Sequence, residues 1–156
     1  MDGLNASTAQ TFISEVGTDM SRWANAKHFC SWLHLVPRND ISGGKVLRRS
    51  MLKAHNRAAQ ALRLAAQAVA KTDTALGAFF RRIRARRGPE QAIVATAHKL
   101  ACILYHMLKE HQPLRVVSAA EYDQSQQERA LKSLQRQAKR LGYSVVPQPQ
   151  PGPSPA

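Results

Sequence analysis

The loop Ser42-Gly43-Gly44-Lys45 is the stretch of this sequence best suited to chemistry on a phosphodiester. A serine hydroxyl can attack phosphorus, two glycines let the backbone come close to a phosphate, and a lysine can neutralise its charge. The loop is not a Walker motif, because the glycine spacing of that motif is absent. An ordinary polar turn is the alternative interpretation, and the loop taken by itself favours that alternative.

A dense run of arginines near the middle of the chain predicts binding to phosphates. It consists of Arg81, Arg82, Arg84, Arg86 and Arg87 and has no acidic residue within it. Further cations stand at Lys45, Arg48, Arg49 and Lys53. A solvated helix face is the simpler reading of such a run, but a face that only improves solubility usually mixes both signs of charge. We therefore predict that these nine residues bind DNA.

The sequence contains no evident set of metal-ligating residues. The ten acidic residues are scattered, whereas a two-metal nuclease needs several converging carboxylates. The six histidines show no zinc-ligand spacing with the cysteines, Cys30 and Cys102. We therefore predict no metal site in this chain. The histidines are expected at the boundary between the core and the solvent. The two cysteines are expected to be buried thiols in a reducing compartment.

Composition limits the class of protein. The 156 residues suffice for one core, and 44% of them are hydrophobic, which favours a folded domain over a basic tail. Lys and Arg exceed Asp and Glu by 23 to 10, a formal charge of +13, so a nucleic acid is the expected partner. With no long apolar run and no export leader, we expect no membrane partner and a cytoplasmic location.

Helical periodicity dominates and predicts an all-α class. The first helix follows the turn Asp2 to Asn5, with Ser7 or Thr8 as its cap and Gly17 as its end, an outline that is like half a helix-hairpin-helix. The other helices are predicted at about Asn25 to Leu35, Asn56 to Ala70 (the expected central helix), Thr72 or Asp73 to Arg87, Pro89 to Lys109 and Ala119 to Leu141, with a brief extended piece at Val46 and Leu47.

These elements predict three regions. Residues 1–114 form a compact helical domain, and residues 115–146 form a linker and a long polar helix. The long helix carries a narrow seam for docking or a short coiled coil, formed by Leu131, Leu134, Ala138 and Leu141. Residues 147–156 form a disordered tail rich in proline.

Several ordered motifs together resemble a known family. They are Asp2-Gly3-Leu4-Asn5, Ser14-Glu15-Val16-Gly17-Thr18-Asp19-Met20, Phe29-Cys30-Ser31-Trp32-Leu33-His34-Leu35-Val36-Pro37, Ile41-Ser42-Gly43-Gly44-Lys45, Asn56-Arg57-Ala58-Ala59 and Thr96-Ala97-His98-Lys99-Leu100-Ala101. These motifs resemble the C-terminal domain of insertion-sequence transposases of the 116/110/902 family, the pilin-invertase-like DEDD group. The resemblance covers about Met1 to Leu114.

The resemblance implies a DNA recombinase that acts in transposition. It implies a serine nucleophile in this domain, matched by position to Ser42, with Ser50 and Ser31 as weaker rivals. It also implies an N-terminal RuvC-like domain with an acidic Mg²⁺-binding tetrad, assembly into oligomers and, in some members, a guide RNA. Because the sequence opens within the first turn of the serine-bearing domain, we expect a truncated or split transposase that is inactive without the acidic domain.

Two other interpretations remain open at this point. One is a non-catalytic basic helical module that binds DNA or RNA and modulates a full-length relative. The other is a remnant of a decayed gene that folds poorly. A separate reading frame upstream with spaced acidic residues would support the split enzyme.

Overall fold

The computed structural model of the chain describes residues 3–36, 38–50, 56–113 and 117–147, with the backbone alone at 38–41, 46 and 48–50. The described residues form six helices and one antiparallel hairpin, namely α1 (Ala6–Val16), α2 (Ala26–Trp32), β1 (Arg38–Ser42), β2 (Lys45–Ser50), α3 (Arg57–Val69), α4 (Ala75–Arg87), α5 (Pro89–Glu110) and α6 (Ala119–Arg140). The buried side chains lie on the helices and their connections. The all-α class is confirmed, and the hairpin extends the brief extended piece expected at Val46 and Leu47.

Asparagine side chains cap the N-termini of three of the helices. The Oδ1 atom of Asn5 accepts a hydrogen bond from the Thr8 amide at 2.7 Å. Asn25 and Asn56 do the same for α2 and α3, at 3.0 and 2.8 Å. Each side chain satisfies an amide that the first helical turn leaves without a partner, which is why the helices start at these points.

Two predicted caps were wrong by one to three residues. Asn5, and neither Ser7 nor Thr8, caps α1. Thr74 caps α4 in place of Thr72 or Asp73, with extended backbone angles of −127° and 165°. Several neighbouring residues carry a capping oxygen in both places, and the one with extended backbone at the helix entry becomes the cap.

Helix α2 is shorter than the predicted stretch from Asn25 to Leu35. His34 adopts a positive φ of 54°, and the Leu35 amide donates to the Cys30 carbonyl at 3.1 Å. The His34 amide donates to the Ser31 carbonyl at 3.0 Å. These two bonds form a Schellman motif, which closes the helix before Pro37 is reached. By contrast, the predicted ends at Gly17 and at Gly88 are confirmed.

Helices α3 and α5 form the centre of the domain. Helix α3 packs against α1, α4 and α5, and α5 packs against α2, α3 and α4. The ring of Phe29 lies in the middle of an aromatic group, 4.9 Å from Trp23, 5.8 Å from Tyr105 and 6.1 Å from Phe12 between ring centroids. Edge-on and tilted aromatic contacts of this kind fix α2 between α1 and α5.

Helix α6 is attached to α4 at its beginning. Ser118 and Glu121 form a capping box, and the Ala75 amide donates to the Val117 carbonyl at 3.2 Å. Tyr122 packs edge-on against Phe79, with ring centroids 6.5 Å apart. The predicted docking seam lies farther along the helix, where three of its four side chains are exposed: Leu131, Leu134 and Leu141.

The predicted disordered tail falls almost entirely outside the described residues, which end at Pro147. Within the described part of the chain, no helix combines the length and the apolar character that crossing a membrane requires.

Candidate nucleic-acid interface

The glycine loop predicted to meet a phosphate is the turn of the β-hairpin. Gly43 and Gly44 both take positive φ values, 56° and 76°, and Ser42 is paired with Lys45 across them. Two consecutive positive φ values define a type I′ turn, whose twist matches that of the flanking strands. Two glycines adopt this turn without steric cost, so the local sequence explains the hairpin.

Ser42 and Lys45 flank this turn and are both exposed. Directly paired residues of an antiparallel ladder project from the same face, with Cβ atoms about 5 Å apart. The serine and lysine side chains therefore leave the end of a short hairpin next to each other and on the same face. We call the segment from Ser42 to Lys45 the hairpin tip.

The other cations predicted upstream of α3 follow the hairpin tip. In the backbone register, Arg48 is opposite Asp40 and Arg49 is opposite Asn39. The register shifts by one residue between this part of the ladder and the tip, because Leu47 has no partner on β1. Such a bulge strengthens the local twist of the strands. Lys53 lies outside the described residues.

The two rival serines lie elsewhere. Ser50 ends β2 and is paired with Arg38, at the opposite end of the hairpin from Ser42. Ser31 is exposed on α2. Among these three serines, only Ser42 adjoins the two-glycine turn.

The arginine run of α4 divides into two parts. Arg81 turns back, and its Nη1 atom donates to the carbonyls of Thr72 at 2.9 Å and Ala70 at 3.3 Å. These carbonyls lie just beyond the C-terminal end of α3, where a cation is also favoured by the helix dipole. Arg82 lies over the ring of Tyr122 at 5.5 Å and donates to the Gln126 side chain. Both arginines have structural contacts in addition to any role in binding.

The remaining arginines of the run are exposed at the end of α4. Arg84, Arg86 and Arg87 occupy its last turn. The ion pairs among the described residues join Arg57 to Glu15 and His106 to Glu110, so neither involves this turn. We call these three residues the basic end of α4, and they are available to a polyanion.

A second row of cations lies on α6 and was missed in the sequence analysis. Arg129, Lys132, Arg136 and Arg140 are all exposed. Their spacing of three, four and four residues places them along one face of the helix. Helical spacing of like charges was the feature that could have revealed this row, which we call the α6 basic row.

Lys99 was also missed, and it lies between α4 and α6. Its Nζ atom is 4.6 Å from the ring centroid of Phe79 and 5.1 Å from that of Tyr122. Burial lowers the pKa of Lys99, and the nearby Arg82 and Arg129 lower it further. Three cations thus converge where α6 docks, although they belong to three different helices.

The Mg²⁺ that the family resemblance implies has no ligand set in the part of the chain that the structure describes. The residues there that come together as possible metal ligands are two cysteines and one histidine, with no carboxylate among them. Magnesium prefers hard oxygen ligands, so these residues do not fit it. No step of the chemistry can be assigned to Mg²⁺ on the described residues.

Cys30, His98 and Cys102 nevertheless form a close cluster, whereas the sequence predicted no zinc-ligand spacing between histidines and cysteines. The prediction of two buried thiols is confirmed for Cys30 and wrong for Cys102, which is half-buried. The Sγ atoms of Cys30 and Cys102 are 3.5 Å apart, and the Cys102 Sγ is 3.9 Å from the His98 Nδ1. Hydrogen bonding from the Cys30 thiol and from His98 lowers the pKa of Cys102 well below its usual range. The same contacts, with burial, raise the pKa of Cys30, and the neighbouring Cys102 raises that of His98.

The amino-acid sequence matches one known protein family. The profile of the Transposase IS116/IS110/IS902 family matches residues 1–81, just over half of the chain. The matched part runs from the first turn through the hairpin and α3 to the first arginine of the α4 run. No curated protein and no solved structure matches the chain. The resemblance seen in the sequence motifs is confirmed, and the chain belongs to the Transposase IS116/IS110/IS902 family.

Proposed function

We propose that this chain acts in DNA transposition by binding DNA through its basic helices and presenting Ser42 to a phosphodiester. Family membership supports the general process. The observation that carries the specific proposal is the hairpin tip, where Ser42 and Lys45 are exposed and paired across two glycines of positive φ. The ladder pairing of Ser42 with Lys45 defines the position of the serine, which reduces the entropy lost when a nucleophile is brought to its target.

The proposed chemical step is a transesterification. The Ser42 oxygen forms a bond to phosphorus, and the bond from phosphorus to one sugar oxygen breaks. The serine proton is transferred, by way of solvent, to the departing sugar oxygen, which leaves as a free hydroxyl. One phosphoester bond replaces another, so the step needs no external energy source and can be reversed to rejoin DNA. The Lys45 ammonium offsets the negative charge on the non-bridging oxygens.

Activation of the serine requires a group beyond the hairpin tip. A serine hydroxyl is a weak nucleophile at neutral pH unless a base or a metal assists it. We propose that the acidic RuvC-like domain expected from the family resemblance supplies this assistance. Ser42 would then be unreactive until the acidic domain binds the DNA next to the hairpin tip.

Binding is assigned to the exposed cations of two helices. The basic end of α4 and the α6 basic row both contact phosphates without reading the base sequence. Their contribution is to hold the DNA while the hairpin tip engages one phosphate. Lys45, at the hairpin tip, belongs to the same proposed binding surface, and the predicted DNA contacts of Arg48, Arg49 and Lys53 are kept as part of this proposal.

A covalent-adduct assay tests the serine assignment. The chain is incubated with labelled DNA and the acidic domain of a family member, and the products are separated on a denaturing gel. We expect a slow-moving adduct with the wild type, none with Ser42→Ala, and an unchanged adduct with Ser31→Ala. Loss of the adduct in Ser50→Ala but not in Ser42→Ala would show that Ser50 is the nucleophile. Metal-dependent cutting by the chain alone would refute the need for a second domain.

A second candidate function is a basic module that binds nucleic acid without chemistry. It is favoured by the exposure of the α4 and α6 cations, which does not depend on the hairpin. Under this alternative, the Ser42→Ala variant retains every activity of the wild type. Parallel titrations with duplex DNA and with structured RNA, at several salt concentrations, would identify the nucleic acid that the chain prefers.

A further inference from the structure

We propose that Cys30, His98 and Cys102 bind a single Zn²⁺ ion that joins α2 to α5. Cys30 belongs to α2, whereas His98 and Cys102 are four residues apart on α5 and share one face of that helix. The potential ligand atoms of all three residues lie within 4.8 Å of one another. We call these residues the thiol–imidazole cluster. The proposal does not depend on the catalytic role assigned to Ser42.

The distances in the cluster suit a tetrahedral zinc site. Zinc bonds of about 2.3 Å to sulfur and about 2.0–2.1 Å to nitrogen give tetrahedral edges of roughly 3.6–3.8 Å. The observed separations are 3.5 Å between the two sulfurs and 3.9 Å between the Cys102 Sγ and the His98 Nδ1. Both of these edges differ from the ideal by a few tenths of an ångström, and the third, from the Cys30 Sγ to a ring nitrogen of His98, lies within 4.8 Å, so side-chain rotations would complete the site.

The chemistry of the donor atoms selects the ion. Two thiolates and one imidazole favour zinc over magnesium or calcium, which prefer oxygen. The contacts that lower the pKa of Cys102 also favour the thiolate form of this ligand. Zinc has no redox chemistry of its own, and at this position it would link two helices. Because the hairpin follows α2 in the chain, such a link would also fix the point from which the hairpin departs.

The cluster has both a buried side and an open side. Cys30 is fully buried, whereas His98 and Cys102 are partly exposed. Cys102 also lines a groove of about 390 Å³, together with His106 and Met107. Cys102 is the proposed ligand that borders this groove, so an ion would enter past Cys102 and the neighbouring Lys99, and a water molecule would be the fourth ligand. His106 lies one helical turn beyond Cys102, and its Nδ1 atom is 3.0 Å from the Glu110 carboxylate.

Cobalt substitution provides the direct test. The untagged full-length chain is reduced, freed of metal with a chelator and titrated with Co²⁺ in the absence of oxygen. We expect one Co²⁺ per chain, with thiolate-to-cobalt charge-transfer bands and the intense visible bands of tetrahedral cobalt. Added Zn²⁺ should abolish these bands and raise the melting temperature.

Variants separate the cluster from other metal-binding groups. Cys102→Ala and His98→Gln alter partly exposed positions and should leave the fold intact, while weakening Co²⁺ binding by at least about 100-fold. His28→Gln, at an exposed histidine outside the cluster, should bind Co²⁺ like the wild type. His106→Gln should also retain the charge-transfer bands if water is the fourth ligand, and a changed visible spectrum would identify His106 in that place.

Two outcomes would overturn the proposal. One is the absence of thiolate-to-cobalt bands in protein whose two cysteines are both titrated as free thiols. The other concerns oxidation, because the 3.5 Å separation of the sulfurs also suits a thiol pair that forms a disulfide. If a mild thiol oxidant links Cys30 to Cys102 as fast with one equivalent of Zn²⁺ as without it, the cluster is a redox pair. Protection by zinc supports the metal site.

Discussion

Ser42 and Lys45 are direct partners in the hairpin ladder, and the two residues between them are both glycines with positive φ. The pairing places a potential nucleophile beside a cation on one face of the hairpin. The two side chains have different expected roles, because Lys45 carries a positive charge that attracts DNA and Ser42 carries none.

Lys45→Gln should weaken DNA binding in a manner that depends on salt. Each neutralised phosphate contributes about 0.9 to the slope of log K against log salt concentration, so the slope should fall by about one unit. Ser42→Ala is the matched control and should leave the slope unchanged. Fluorescence anisotropy with a labelled duplex at four or more salt concentrations provides the measurement. Equal slopes for Lys45→Gln and the wild type would remove Lys45 from the interface.

Arg81 and the basic end of α4 should differ in their effects on stability. Arg81→Gln removes the hydrogen bonds to Thr72 and Ala70 and should lower the free energy of unfolding by about 1 kcal/mol. A triple change of Arg84, Arg86 and Arg87 to glutamine should alter it by less than about 0.5 kcal/mol, since these side chains are exposed. Urea denaturation measures the first effect, and DNA titration should show the larger loss of affinity for the triple variant. The reverse order of stabilities would contradict the assignment.

Gly77→Ala should destabilise the protein although it lies in a helix. Alanine normally favours a helix over glycine by about 0.5–1 kcal/mol. At position 77, however, a Cβ atom would lie 2.1 Å from the Thr72 carbonyl oxygen and 3.0 Å from that of Val69. Both atoms belong to the backbone, so relief requires α3 and α4 to separate, at a cost of about 1–3 kcal/mol. Thermal unfolding compares the melting temperature of Gly77→Ala with that of Gln67→Ala, a control at an exposed position of α3. A higher melting temperature for Gly77→Ala than for the wild type would disprove the close approach.

Thr96→Val should raise the stability of the fold. Thr96 is completely buried in α5, and its hydroxyl has no hydrogen-bond partner among the described residues. Valine has nearly the same shape and removes the cost of an unsatisfied polar group, which suggests a gain of about 1 kcal/mol. Thr96→Ala is the informative control, because it removes the hydroxyl but also leaves a void. A loss of stability in Thr96→Val would mean that the hydroxyl is satisfied in solution.

Cys102 should react with iodoacetamide at a rate that barely changes between pH 6 and pH 8. The pKa of this thiol lies well below its usual range because of hydrogen bonding from Cys30 and His98, so it is already a thiolate in this window. An ordinary thiol, with a pKa of about 8.5, would slow by roughly tenfold for each unit of pH below that value. Mass spectrometry of metal-free protein should show labelling at Cys102 and little at the buried Cys30. Cys30→Ala removes the larger of the two hydrogen bonds and should restore a steeper profile.

Local features of the sequence determined the helices and the hairpin turn. Helical spacing, Gly17, and the Gly88-Pro89 pair located the helices to within a few residues, because these effects act between near neighbours in the chain. The two glycines between Ser42 and Lys45 carried enough information to place a turn. Before α1 and α4 several residues could cap the helix, and the sequence alone did not identify the cap. The cap is decided by the backbone angles with which the chain enters the helix.

The excess of positive charge and the family motifs were likewise readable in the sequence, because they need only residue types and their order. Only the tertiary structure decided which cations are available. Arg81 and Arg84 look alike in the run, yet Arg81 is engaged with carbonyls nine and eleven residues earlier, which depends on how α4 packs beside α3. The thiol–imidazole cluster depends still more on the fold. Cys30 and Cys102 are 72 residues apart in the chain, and their contact follows from the packing of α2 on α5, which no local pattern records.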